Sequence, residues 1–174
     1  MIYFVRHGET DFNLYNISQG QLDTSLNKTG LIQAETIAEK LKDYKFDYII
    51  SSTLTRAIQT AEKINKYHNM EIMFDARLKE VSKGSLEGNK NPQELYDRFF
   101  KDPHKFGGET EEDVVNRIYS FLKDISKYKG KNILVVGHGG IHKYFVFCLQ
   151  NKDIKKEKLH LTNMQNCEIV EFEF

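Results

Sequence analysis

The chain has 174 residues, a length that fits a single domain spanning 1–174. Apolar residues make up 40%, with 12 Phe and 9 Tyr, enough to build a core and too many for a disordered chain. Lys plus Arg and Asp plus Glu both number 25, so the formal charge is zero, which argues against a general nucleic-acid binder. Two cysteines, Cys148 and Cys167, are too few for a disulfide framework or a zinc cluster. The apolar start meets Arg6 after five residues, unlike a secretory signal, and no apolar run approaches membrane-spanning length. The expectation is a cytoplasmic protein with no membrane partner and an oligomeric state left open.

Ile2-Tyr3-Phe4-Val5 is a short apolar run stopped by Arg6-His7-Gly8, the pattern of a buried parallel strand. Residues 29–43 place Leu31, Ala34, Ile37, Ala38 and Leu41 on one helical face, with Asn27 or Thr29 as the cap. A second strand is expected from Phe46 to Ser52, and a second helix through Leu54, Ala57, Ala61 and Ile64. A short third strand follows from Glu71 to Phe74. Residues 81–91, with Gly84, Gly88, Asn89 and Asn91, read as loop, and Asn91-Pro92 with Glu94 as a helix start. Gly107-Gly108 breaks the chain before Thr110 and Asp113 open a long helix. Asn132 to Val136 is a fourth strand and Ile141 to Leu149 an apolar helix. Lys152 to Lys158 reads as a charged surface, and Cys167 to Phe174 as an edge strand. Strands alternating with helices predict an α/β fold, a mostly parallel sheet covered on both faces.

Such sheets bind ligands at the carboxyl ends of their strands. Arg6 and His7 follow strand one, and Ser51, Ser52 and Arg56 follow strand two. Glu80 lies past strand three, and His138 follows strand four. Taken singly, each has an ordinary reading: a turn histidine, a surface arginine, a loop acid. Together they bring two guanidiniums, two imidazoles and a carboxylate to one edge. Guanidinium forks suit a phosphate, and a neutral imidazole can attack phosphorus. A carboxylic acid can protonate the departing alkoxide and then deprotonate water; apolar surroundings or burial would keep it protonated. His138 and His142 are spaced to share a helix face and could hold a metal, but Gly139 stands where the zinc-protease pattern needs Glu, and no nearby carboxylate cluster completes a site. Neither a dinucleotide fingerprint nor a phosphate-loop signature is present, so the expected chemistry is metal-free and cofactor-free. His68, His104 and His160 read as solvated.

Several blocks resemble the histidine phosphatase superfamily, the phosphoglycerate-mutase-like group. They are Val5-Arg6-His7-Gly8-Glu9-Thr10 with Asn13; Gly20 to Leu26 leading to Thr29-Gly30; Ser51 to Ala61; Leu78-Lys79-Glu80 with Gly84 and Glu87-Gly88; Gly107 to Thr110 with Arg117; and Val135 to Gly140. The resemblance implies a three-layer α/β/α sandwich in which His7 is the phosphorylated nucleophile. It implies that Arg6, Arg56 and His138 bind the phosphoryl oxygens and that Glu80 donates the proton. Asn13, Gln19, Gly20 and Gly139 match positions at the phosphate or substrate. The family holds both phosphatases and mutases. Here Arg98-Phe99-Phe100 replaces the mutases' adjacent Arg pair, and Lys83 stands where mutases carry Tyr, although Lys90 lies near a mutase lysine position. Leu86 occupies a place where many phosphatase relatives have Trp. With fewer fixed cations, transfer to water is expected, making the chain a metal-independent phosphatase of a small phosphorylated metabolite. The alternatives are a phosphoglycerate mutase and a non-catalytic phosphate-binding relative. Known substrates in the family include sugar phosphates, phosphoglycerates and alpha-ribazole phosphate.

Overall fold

Four parallel strands and one antiparallel strand form a single sheet in a computed structural model that describes residues 1–90, 93–152 and 164–174. The strands are β1 (Ile2–Arg6), β2 (Tyr48–Ser51), β3 (Ile72–Phe74), β4 (Ile133–Gly137) and β5 (Ile169–Phe172), in the order β3-β2-β4-β1-β5. β1 and β4 pair in parallel with Arg6 opposite Gly137, and β2 pairs with β4 with Ser51 opposite Val136. β5 returns antiparallel along the outer side of β1, as its loose alternation predicted.

Successive side chains of a strand point to opposite faces, and the buried residues divide accordingly. Ile133 and Val135 enter one core with Phe4, while Leu134 and Val136 enter the other with Val5. Helices α2 (Lys28–Leu41) and α3 (Thr55–Asn65) cover the second face through Ile37, Ala38, Ala57 and Ala61. Helices α4 (Gln93–Lys101), α5 (Glu111–Ile125) and α6 (Gly139–Leu149) cover the first. The result is the expected three-layer α/β/α arrangement. Of the two caps considered for α2, Asn27 holds the position: its side chain accepts from Gly30 N at 2.8 Å, a contact worth about 1 kcal/mol. Thr110 and Asp113 form a full capping box at the start of α5.

Several boundaries differ from the sequence expectation for local reasons. β2 begins at Tyr48 because the Phe46 ring packs edge-on against Tyr3 and His68 instead of joining the sheet. That contact half-buries His68, which is therefore not the solvated residue expected; burial holds its pKa below the ordinary value. His104 is exposed. A short helix α1 (Asp11–Leu14) was not foreseen, although its signal is present: Thr10 and Asn13 cap one another reciprocally. α6 starts two residues earlier than expected, with His138 itself as N-cap. Asn91, Pro92, His160 and all but Lys152 of the charged stretch 152–158 lie outside the described residues.

Candidate active site

The register of β1 against β4 sets the centre of the site. Arg6 pairs with Gly137, so the residues that leave the sheet next are His7 and His138, side by side. The backbone N–H of His7 still donates to Gly137 O at 3.0 Å, and Ser52 N does the same to Val136 O at 2.9 Å. The two imidazole centroids lie 5.1 Å apart, and both rings are buried. Gly8 packs on Gly30, where a Cβ would stand 2.5 Å from the carbonyl oxygen. Its N–H donates to Thr60 Oγ1 at 3.1 Å. The turn after His7 is thereby held against α2 and α3.

His7 Nδ1 lies 2.7 Å from the carbonyl oxygen of Gly8. A carbonyl only accepts, so Nδ1 carries the hydrogen and Nε2 keeps its lone pair. Burial, then the positive charges of Arg56 and Arg6, hold the ring well below the ordinary histidine pKa. His138 Nε2 pairs with Ser52 Oγ at 2.9 Å, and His138 is depressed for the same reasons, burial first and Arg56 next. Both imidazoles are therefore neutral near pH 7.

Arg56 is only 1% exposed, on the first turn of α3. It donates to Leu22 O at 2.9 Å and Gly20 O at 2.8 Å, so the loop at 18–26 aims the guanidinium. Arg6 donates to Met164 O. Yet Arg6 Nε, Arg56 Nε and His138 Nδ1 are buried without a partner. Buried polar nitrogens are seldom left unpaired, and three grouped around one histidine mark a place for an anion with several oxygens.

Glu80 reaches the site from beyond β3. Its carboxylate accepts from Val81 N at 2.8 Å and Gly140 N at 3.0 Å. A Cβ on Gly140 would sit 2.3 Å from Glu80 Oε1, so only glycine admits the carboxylate here. The expected apolar surroundings are not what Glu80 meets. It is half-buried, and Arg6, Arg56, Lys83 and Lys143 all feel its charge. Its backbone is held by Arg117 and Gln21, which both donate to Glu80 O, at 3.3 and 3.1 Å. Arg117 also clamps Glu109 through two bonds, and Glu109 in turn accepts from Ser82 N at 2.8 Å.

The remaining expected residues divide by what they touch. Asn13 Oδ1 accepts from Thr10 N at 3.1 Å and faces Asn166 Nδ2 at 3.4 Å. Gln19 is buried, its Oε1 accepting from Thr10 and Thr24, so it braces the loop from beneath. Gly20 acts through its carbonyl on Arg56; its φ of 50° and the nearby Glu87 carboxylate both require glycine. Gly139 lets Arg6 lie close, with Nε 3.3 Å from where a Cβ would be. His142 turns away from His138 and packs against Phe4 and Phe172. Among the described residues, no group of three or more potential metal ligands gathers anywhere, and no helix is long and apolar enough to cross a membrane.

Sequence reasoning missed Ser52's bond to His138, and it missed Asn166. The Asn166 amide donates to His7 O at 2.9 Å from the turn before β5. Only the pairing of the last strand with the first brings it there.

The chain matches the histidine phosphatase superfamily, branch 1, over residues 2–174. It is 34% identical to the uncharacterized phosphatase PhoE of Bacillus subtilis, over 98% of this chain and 89% of that protein. It is 38% identical to a metal-independent phosphoserine phosphatase of Arabidopsis thaliana, over 80% of this chain and 64% of the relative. A mycobacterial glucosyl-3-phosphoglycerate phosphatase, solved in complex with VO3, superposes with a TM-score of 0.85 at 28% identity, covering 97% of this chain and 88% of that one. With its fold, its strand-edge histidines and these relatives, the chain belongs to branch 1 of the histidine phosphatase superfamily and is a phosphoric monoester hydrolase.

Proposed function

We propose that the chain hydrolyses small phosphate monoesters in two steps through a phosphohistidine on His7. The observation that carries this reading is the His7 Nδ1–Gly8 bond in a buried, neutral ring, which leaves Nε2 as the nucleophile. Arg6 Nε, Arg56 Nε and His138 Nδ1 would each take a phosphoryl oxygen as charge spreads over them in the transition state. With the Ser52 hydroxyl donating to Nε2, His138 presents its Nδ1 hydrogen for that purpose.

Glu80 is the proton donor in this reading. The arrival of a phosphate dianion beside it adds negative charge and favours its protonated form. In the first step the bond from phosphorus to the ester oxygen breaks, the alkoxide takes Glu80's proton, and phosphorus bonds to Nε2. In the second, Glu80 takes a proton from water, the oxygen attacks phosphorus, and His7 leaves with phosphate released. Asn13 and Gly139 line the same cavity mouth, while Gln19 and Gly20 serve by holding Arg56's loop. Water is favoured over a sugar acid as acceptor because Arg98 is exposed on α4 and its neighbour Phe99 is buried in the core, so no adjacent cation pair forms there.

The wild-type chain should release phosphate from an aryl phosphate in excess chelator. A rapid acid-avoiding quench should find phosphate on His7, labile to acid, and His7→Ala should lose essentially all turnover. Label on a serine or aspartate, or full activity in His7→Ala, would overturn the covalent step.

A further inference from the structure

Two lysines near Glu80 have no place in the hydrolytic scheme. Lys83 lies three residues beyond Glu80, and Lys143 is one turn along α6 from Gly139. Both are half-buried, and among the described residues neither forms an ion pair. The four lysines that do, Lys42, Lys63, Lys66 and Lys131, sit on the open surface. Each of the two inner lysines feels Glu80 and is close enough to the other for mutual repulsion to lower Lys83. Burial is the larger cause of depression in both cases, and a half-buried ammonium without a counter-ion is a cost that a bound anion would relieve. Lys83 Nζ is positioned 4.2 Å above the Tyr96 ring, so it is held in place and not swung into solvent.

The charge around the site is thus more than one phosphate requires. Arg6 and Arg56 answer the phosphoryl dianion, and Glu80 is neutral when it donates. Lys83 and Lys143 then remain. The expectation of a cation-poor pocket counted α4 alone; the cations come from the Glu80 loop and α6 instead.

Building on the phosphatase reading, we propose that Lys83 and Lys143, with Tyr96 as the wall behind Lys83, form a second anion subsite across Glu80 from His7, so that the preferred substrates are phosphate monoesters bearing a second anionic group a few bonds from the ester. A carboxylate and a second phosphate offer the same chemistry to two ammonium groups.

The test is calorimetric titration of the full chain carrying His7→Ala, which holds ligands without turning them over. 3-Phosphoglycerate and glycerol 3-phosphate differ only in a carboxylate against a hydroxymethyl group. Fructose 1,6-bisphosphate and fructose 6-phosphate differ by one phosphate. At least one charged member should bind about tenfold more tightly than its neutral twin, and whichever pair shows the gap identifies the anion. Adding Lys143→Gln should shrink that gap to less than about threefold, and Lys143→Arg should restore it, a pattern that a merely misfolded variant would not give. Equal affinities within both pairs, or a gap that survives Lys143→Gln together with Lys83→Gln, would overturn the subsite. Hydrolysis of an aryl phosphate by the wild-type chain is read separately. Its absence would defeat the phosphatase reading while leaving the titrations to decide the subsite.

Discussion

The two halves of the site are built by different means. The histidine half is held by backbone: His7 and His138 leave adjacent paired strands, and ladder hydrogen bonds continue past the strand ends on both sides. The carboxylate half is held by side chains, with Arg117, Gln21 and Glu109 gripping the main chain around Glu80. Backbone ladders are indifferent to most substitutions, whereas a side-chain clamp fails when one member is removed. The nucleophile should therefore tolerate change in its surroundings, and the proton donor should not.

The sharpest probe of the histidine half is Arg56, which reads its position from two loop carbonyls. Arg56→Ala should cost on the order of 2–4 kcal/mol in transition-state stabilisation, a loss of about 30- to 1000-fold in kcat/KM, on alkyl and aryl phosphates alike. Near-normal kinetics would return Arg56 to a structural part.

Glu80→Gln separates the halves by leaving group. An alkyl phosphate, whose alkoxide needs a proton, should slow by roughly 100-fold, while the burst of an activated aryl phosphate should be far less affected. An equal loss on both would mean that Glu80 acts by position alone.

Arg117→Met tests the clamp without touching the carboxylate. About tenfold should be lost on alkyl phosphates and little on the aryl burst, the same direction as Glu80→Gln but smaller. If the aryl burst falls equally, the clamp supports the whole site and the division into halves is wrong.

The smallest effect is on stability. His7 and His138 are depressed in the folded chain, so between their folded pKa values and about 6.5 the unfolded chain binds more protons. Their contribution is fully present above about pH 7 and is lost as pH falls below about 6.5. The slope is about 1.4 kcal/mol per pH unit for each ring. Urea midpoints measured from pH 8 to 5 should bend downward near 6.5, and His138→Asn should reduce the slope. An unchanged slope in that variant would show that its ring stays neutral in both states.

The difference between the halves also explains what could be read from the sequence. A strand followed at once by a histidine is local, so Arg6, His7 and His138 were visible from apolar runs such as Ile2 to Val5. Arg56 was visible because α3 starts just after β2. The supports of Glu80 were not, since Arg117 lies 37 residues away and shows only as one more polar residue on a helix. Asn166, 159 residues from His7, carries no local signal at all. Phe46 misled the strand boundary because an apolar residue beside a strand looks the same whether it joins the sheet or an aromatic cluster. Lys83 and Lys143 were legible only as charges; that both lie beside one carboxylate is a property of the fold.

The pairing of β5 with β1 has a consequence for how the protein is made. β1 is among the first segments to leave the ribosome, yet its partners on both sides come from residues 133–137 and 169–172. At ordinary synthesis rates of about 5–20 residues per second, that strand waits roughly ten seconds or more for β4, and longer for β5. During this interval an apolar strand bearing the nucleophile has neither neighbour, and Asn166 has not yet reached the His7 carbonyl. The nascent chain thus carries its reactive histidine from the start but completes the surroundings of that histidine among its last residues.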